Sequence, residues 1–200
     1  MSNFKICAIL LVLILSQTAF VKSENSSEKT NTNLTSKQSF LKYVITSFSA
    51  MIQEYSEKSL KVSRAILKNE EFKSHHEPLI EEFKHNLTQF LDYIEANNNV
   101  PNKLVAIDMF TNTTDFYYEI PEQKLTSETK YILEILNKYR YKDIEVEMEK
   151  KFSTFEKYFK KMFEEFKSEW DERALEWYEK YQNIQDFKEK FNAFTNLKIF

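Results

Sequence analysis

From Phe40 the apolar residues recur at steps of three and four: Phe40, Leu41, Val44, Ile45, Phe48, Met51, Ile52 and Tyr55, then Val62, Ile66 and Leu67. That is the period of a helix burying one face. Thr35 and Gln38 have the spacing of a capping box, so the helix is expected from about 36 to 68, with a bend most easily placed in its polar section, 56 to 63. Ser74 and Glu77 repeat the capping-box spacing with Pro78 in the first turn. They open a second helix with the stripe Leu79, Ile80, Phe83, Leu87, Phe90, Leu91 and Ile94. Asn97, Asn98 and Asn99 close it, asparagine replacing glycine in the left-handed position after a helix.

Between Pro101 and Pro121 the period is lost. The runs LVAIDMF and DFYYEI flank the turn-forming residues TNTT, which reads either as a small hairpin or as a short helix started by Pro101. Helical spacing returns after Thr126 or Ser127, through Tyr131, Ile132, Ile135, Leu136 and Tyr139, and Asp143 is a candidate cap for the next helix. From there apolar residues fall at 148, 152, 155, 159, 162, 166 and 170, then at 177, 181, 184, 187, 191 and 194. Unbroken from 143 to 194, this helix would be about 78 Å long and would need a partner along its length; whether it is one helix or two stays open. Acid-before-base pairs such as Glu147 with Lys151 and Glu156 with Lys160 add ~0.2–0.5 kcal/mol each. The fold expected is all-α: a bundle of about four helices, with a long C-terminal amphipathic helix and a small irregular or hairpin excursion near 101–121.

The N-terminus follows different rules. Lys5 precedes the apolar run Ile6 to Leu15, too short for comfort in a ~30 Å hydrocarbon core, and Val21 and Ser23 suit a cleavage site. Residues 1–23 are therefore expected to be a signal peptide, 24–38 a polar disordered leader, and 39–200 the helical domain, with no transmembrane span in the mature chain. Secretion to the extracellular space follows from this reading. Cleavage would remove Cys7, giving a cysteine-free mature chain, and losing Lys5 and Lys22 would take the formal charge from −3 to −5. Asn25, Asn33, Asn86 and Asn112 stand in Asn-x-Ser/Thr acceptors, which makes a glycoprotein the expectation.

Composition then excludes whole chemistries. The chain has 200 residues and no glycine, where about fourteen would be usual, so glycine-built phosphate loops are absent. No basic stripe offers itself to nucleic acid. A Gly-x-Ser-x-Gly elbow is impossible, and the only bases of the histidine type are His75, His76 and His85. Glu82 to His85 has the Glu-x-x-His spacing of a di-iron bundle but no second copy; a single zinc would have to use His76 (or His75), Glu81 (or Glu82) and His85, the weak candidates for a metal. The expectation is no metal, no cofactor and no enzymatic activity.

What remains is the aromatic face of the C-terminal helix, represented by Phe155, Phe159, Phe166, Trp170, Trp177 and Tyr181. Bulky rings at these positions read first as core. As a functional surface they suggest a binding protein that holds an apolar small molecule between helices or engages a protein partner. The alternatives are a structural coiled-coil oligomer and an interfacial lipid-binding helix.

Overall fold

The computed structural model describes residues 36–195. Among them are eight α-helices: α1 Ser36–Leu67, α2 Glu70–Ser74, α3 Pro78–Ala96, α4 Val100–Glu119, α5 Ser127–Lys138, α6 Tyr141–Glu165, α7 Glu172–Gln182 and α8 Phe187–Thr195. Single 3-10 turns stand at Glu122–Lys124 and Lys167–Glu169. The all-α class is as expected, but the count of about four helices is corrected to eight. The signal-peptide reading, Asn25, Asn33 and the Thr35 cap lie outside the described residues. The expectation of a cysteine-free protein is also corrected: the chain carries Cys7, and the cleavage on which that expectation rested is not shown.

Each additional helix boundary has a local cause. Asn69 caps α2, its Oδ1 accepting from the Phe72 N–H at 2.9 Å, while the Ser74 hydroxyl donates back to the Glu71 carbonyl at 2.7 Å. Ser74 therefore ends α2 and does not cap α3, whose first turn relies on Pro78 and has no side-chain cap at Glu77. Asn97 is not left-handed either; its Nδ2 donates to the Tyr93 carbonyl at 2.9 Å and closes α3 by that route. The residue with positive φ among those described is Arg140, at 57°, where α5 hands over to α6.

Of the two readings of 101–121, the helix started by Pro101 is the one observed, as α4 and longer than the expected 104–110; the hairpin or irregular excursion is corrected. Asn99 Oδ1 accepts from the Asn102 N–H at 2.9 Å and Pro101 occupies the first turn. The threonines of TNTT, which argue for a turn by propensity, fit the helix because their hydroxyls bond to the preceding turn. Thr111 donates to the Ile107 carbonyl at 3.0 Å, Thr113 to Met109 at 2.8 Å and Thr114 to Phe110 at 2.8 Å.

The long C-terminal helix, left open between one helix and two, is corrected to three. The breaks need no glycine or proline: Asp171 Oδ1 accepts from the Ala174 N–H and Asp186 Oδ1 from the Glu189 N–H, each at 2.9 Å. Each aspartate opens a new helix in the middle of an apolar period that reads as continuous.

The chain divides into two compact units. The terminal unit takes residues 36–50 and 149–195 of those described; the central unit is Met51–Met148. In the central unit α3 packs on α4, and α5 against both, over a core that includes Phe72, Phe83, Phe90, Leu104, Phe110 and Leu136. In the terminal unit the core is almost wholly aromatic.

Candidate functional site

The aromatic face belongs to the terminal unit, and most of it is covered: Phe155, Phe159, Trp170 and Tyr181 are buried, while Phe166 and Trp177 are half-buried. Phe159 is fully buried, 5.3 Å from Phe40, 6.0 Å from Phe155, 5.9 Å from Tyr181 and 4.7 Å from Phe194. Trp177 and Tyr181 stack at 5.0 Å and 10°. Because α7 and α8 are separate helices, Tyr181 and Phe194 return onto α6, and Phe40 and Phe48 of α1 bring further rings to the same cluster. Offset and edge-to-face contacts of this kind add ~0.5–1.5 kcal/mol per pair beyond burial.

Phe155, Phe159, Trp177 and Tyr181 are thus brought together. Trp170 joins through Phe163, on which it stacks at 5.0 Å and 13°, and through Phe40 at 4.9 Å. Its indole Nε1 donates to the Phe163 carbonyl at 3.0 Å, satisfying one of the last carbonyls of α6. Phe166 is only half-buried and sits where α6 gives way to the 3-10 turn. The ring in the core at this level is Phe163, also 4.0 Å from Tyr178, so the buried line runs 155, 159, 163 and not 155, 159, 162, 166. The i, i+4 steps from Phe155 were the signal for it.

Charge also holds α8. Glu156 of α6 pairs with Lys160 at 2.8 Å and with Lys190 at 3.0 Å. Burial alone would raise its carboxyl, but the two ammonium groups and the Tyr181 hydroxyl bring it below the usual glutamate value.

The metal candidates are only partly assembled. His76 Nδ1 lies 2.8 Å from Glu81 Oε1, which also receives Lys84 Nζ at 3.0 Å. Lys84 and then His76 hold the Glu81 carboxyl below its ordinary value. His85 is exposed on α3, and among the described residues no three His, Cys, Asp or Glu side chains form a group that could hold a metal ion. His75 stands against the Tyr131 ring at 4.1 Å with Nδ1 3.0 Å from Glu77. Of the acceptor asparagines, Asn112 is exposed on α4 and Asn86 half-buried on α3.

Sequence reasoning missed a polar cluster in the central unit. Tyr141 donates to Asp115 Oδ1 at 2.5 Å and approaches Glu145 Oε1 at 3.3 Å. Lys142 Nζ donates to Glu145 Oε2 and lies 3.6 Å from Asp115 Oδ1. Burial, then Asp115, raises the Glu145 carboxyl against the opposing pull of Lys142. Burial also raises the Tyr141 hydroxyl, and pushes Tyr118 up to about 12.

No helix among the described residues is long and apolar enough to cross a membrane. No family model matches the chain, and neither a curated protein nor a solved structure matches it.

Proposed function

We propose that the chain is a secreted, non-enzymatic helical binding protein that meets a protein partner on its outer helix faces. The observation that carries this reading is the mostly covered aromatic face. The rings that made an apolar ligand site or an interfacial lipid helix attractive contact one another, Phe159 alone touching Phe40, Tyr181 and Phe194 within 5.9 Å. Recognition then falls to the outer surface. There, among the described residues, Phe116 and Val146 in the central unit and Tyr158 in the terminal unit are the large apolar side chains left exposed. Tyr158 borders the Tyr43 ring at 6.4 Å, and paired tyrosines give contact area at low entropic cost. Secretion is supported by the apolar run behind Lys5 and the small residues Val21 and Ser23. The non-enzymatic reading is supported by the lack of a nucleophile elbow and by the isolation of the three histidines in one stretch.

Native mass spectrometry of the protein recovered from culture medium tests the choice of ligand. The expected species is the polypeptide with no bound apolar molecule, and a stoichiometric apolar molecule that survives desalting overturns the protein-partner reading. A folded Tyr158→Arg, Phe116→Arg or Val146→Arg variant is expected to lose a complex that the unmodified chain forms; retention of that complex by all three refutes the assignment of the outer faces.

A further inference from the structure

The polar cluster of the central unit has the composition of a cation receptor with a cation already seated in it. The Lys142 ammonium lies 4.3 Å from the Tyr118 ring centroid and 5.3 Å from that of Tyr141. Glu145 and Asp115 close on it from the carboxylate side. An ammonium beside a stacked pair of tyrosine rings and against two carboxylates makes the contacts by which organic cations are recognised. The tyrosine walls are held by contacts of their own. Tyr118 stacks on Tyr141 at 5.8 Å and donates to Asn137 Oδ1 at 2.9 Å, and Tyr141 is anchored on Asp115.

Exposure separates wall from occupant. The side chains of Asp115 and Glu145 are 13% and 19% exposed, whereas that of Lys142 is 42% exposed. The anionic lining is therefore set into the unit, and the ammonium reaches it from the solvent side on a flexible four-carbon stem. Lys142 follows closely on the junction of α5 and α6, where Arg140 has a φ of 57°.

We propose that Asp115, Glu145, Tyr118 and Tyr141 form a binding site for a primary alkylammonium group, occupied in the resting chain by Lys142 and taken by an external ammonium that displaces it. The ligand chemistry is the same whether the ammonium belongs to a free aliphatic amine or to a lysine side chain of another protein. This site is independent of the outer faces assigned above.

The test uses the full chain with Lys142→Ala and n-butylammonium chloride as probe, with n-butanol and sodium chloride at equal concentration as controls. Binding is followed by amide chemical shifts and by the circular-dichroism melt. Saturable binding of n-butylammonium is expected, at least about tenfold tighter to Lys142→Ala than to the unmodified chain, because a tethered competitor acts at millimolar effective concentration. Adding Glu145→Gln and Asp115→Asn to Lys142→Ala is expected to abolish it. Equal response to n-butanol, or equal affinity with and without Lys142, overturns the proposal. If Lys142→Ala does not fold, recovery of its helical signal by n-butylammonium but not by n-butanol supports the site, and recovery with neither in both Lys142→Ala and Lys142→Gln overturns it. Spermidine and N-acetyl-lysine amide serve as the final arms. Preference for the first identifies a free amine, preference for the second a protein lysine, and failure of both overturns the site as a receptor.

Discussion

Replacing Phe159 by alanine removes the ring on which the terminal unit closes. Phe159 is fully buried and lies within 6.1 Å of Phe40, Phe155, Phe163, Trp177, Tyr178, Tyr181 and Phe194. Phe→Ala in a packed core costs about 3–5 kcal/mol, from the lost transfer energy and the cavity left behind. The upper half of that range applies here, because the neighbours come from α1, α6, α7 and α8 and several edge-to-face pairs are lost together. For a chain of this size that corresponds to a fall of about 8–20 °C in Tm. The assay is selective: both tryptophans, Trp170 and Trp177, belong to the terminal unit, so their emission during urea unfolding reads that unit alone. Phe159→Ala should move the emission midpoint, whereas Phe116→Ala, at an exposed position of the other unit, should leave it within about 0.5 kcal/mol. A loss below about 1 kcal/mol for Phe159→Ala would refute the closed-core argument and reopen the aromatic face as a ligand surface.

Three further outcomes follow from particular groups. Glu156→Gln should destabilise the terminal unit by about 1 kcal/mol at pH 7, the ion pairs being partly solvated. With its folded pKa lowered, Glu156 contributes stability above its unfolded value of about 4.3 that is lost as pH falls through the folded pKa, so the gap between variant and parent melts should narrow as pH falls below about 4.3; a gap that stays constant on acidification contradicts the assignment. In the central unit burial, with Glu82 beside Tyr117 and with Glu145 and Asp115 beside Tyr118, pushes both hydroxyls up to about 12. Their contribution is fully present below the unfolded value of about 10 and is lost as pH rises through 12; absorbance at the phenolate band should show this delayed class, and complete titration near 10 in the folded chain would exclude it. Arg140→Gly should raise Tm, relieving up to about 1 kcal/mol net of the greater backbone freedom of glycine in the unfolded chain, and a lower Tm would mean that the left-handed backbone is not strained.

The helical class and the burial of the aromatic face were legible in the sequence, because a period of 3.6 survives any arrangement of neighbours: Phe40, Phe48, Phe83, Phe155 and Phe159 are all core. What was not legible is where the helices stop. Asp171 and Asp186 are ordinary helix-surface residues by composition and become caps only because the chain turns there, bringing Tyr181 and Phe194 back onto α6. The choice between hairpin and helix around TNTT was left open because propensity describes an isolated segment, whereas Leu104, Ile107, Phe110 and Thr114 are buried on one face among the helices that pack on it. The cluster of Asp115, Tyr141, Lys142 and Glu145 was invisible for a related reason: acids and lysines are common along the whole chain, and only the packing of α4 against the start of α6 selects these from the rest. Local patterning thus determined that this chain is helical and which faces turn inward; the number of helices, the partner of each ring and the semi-buried cluster around Asp115 were decided by contacts between residues far apart in the chain, which no window of sequence contains.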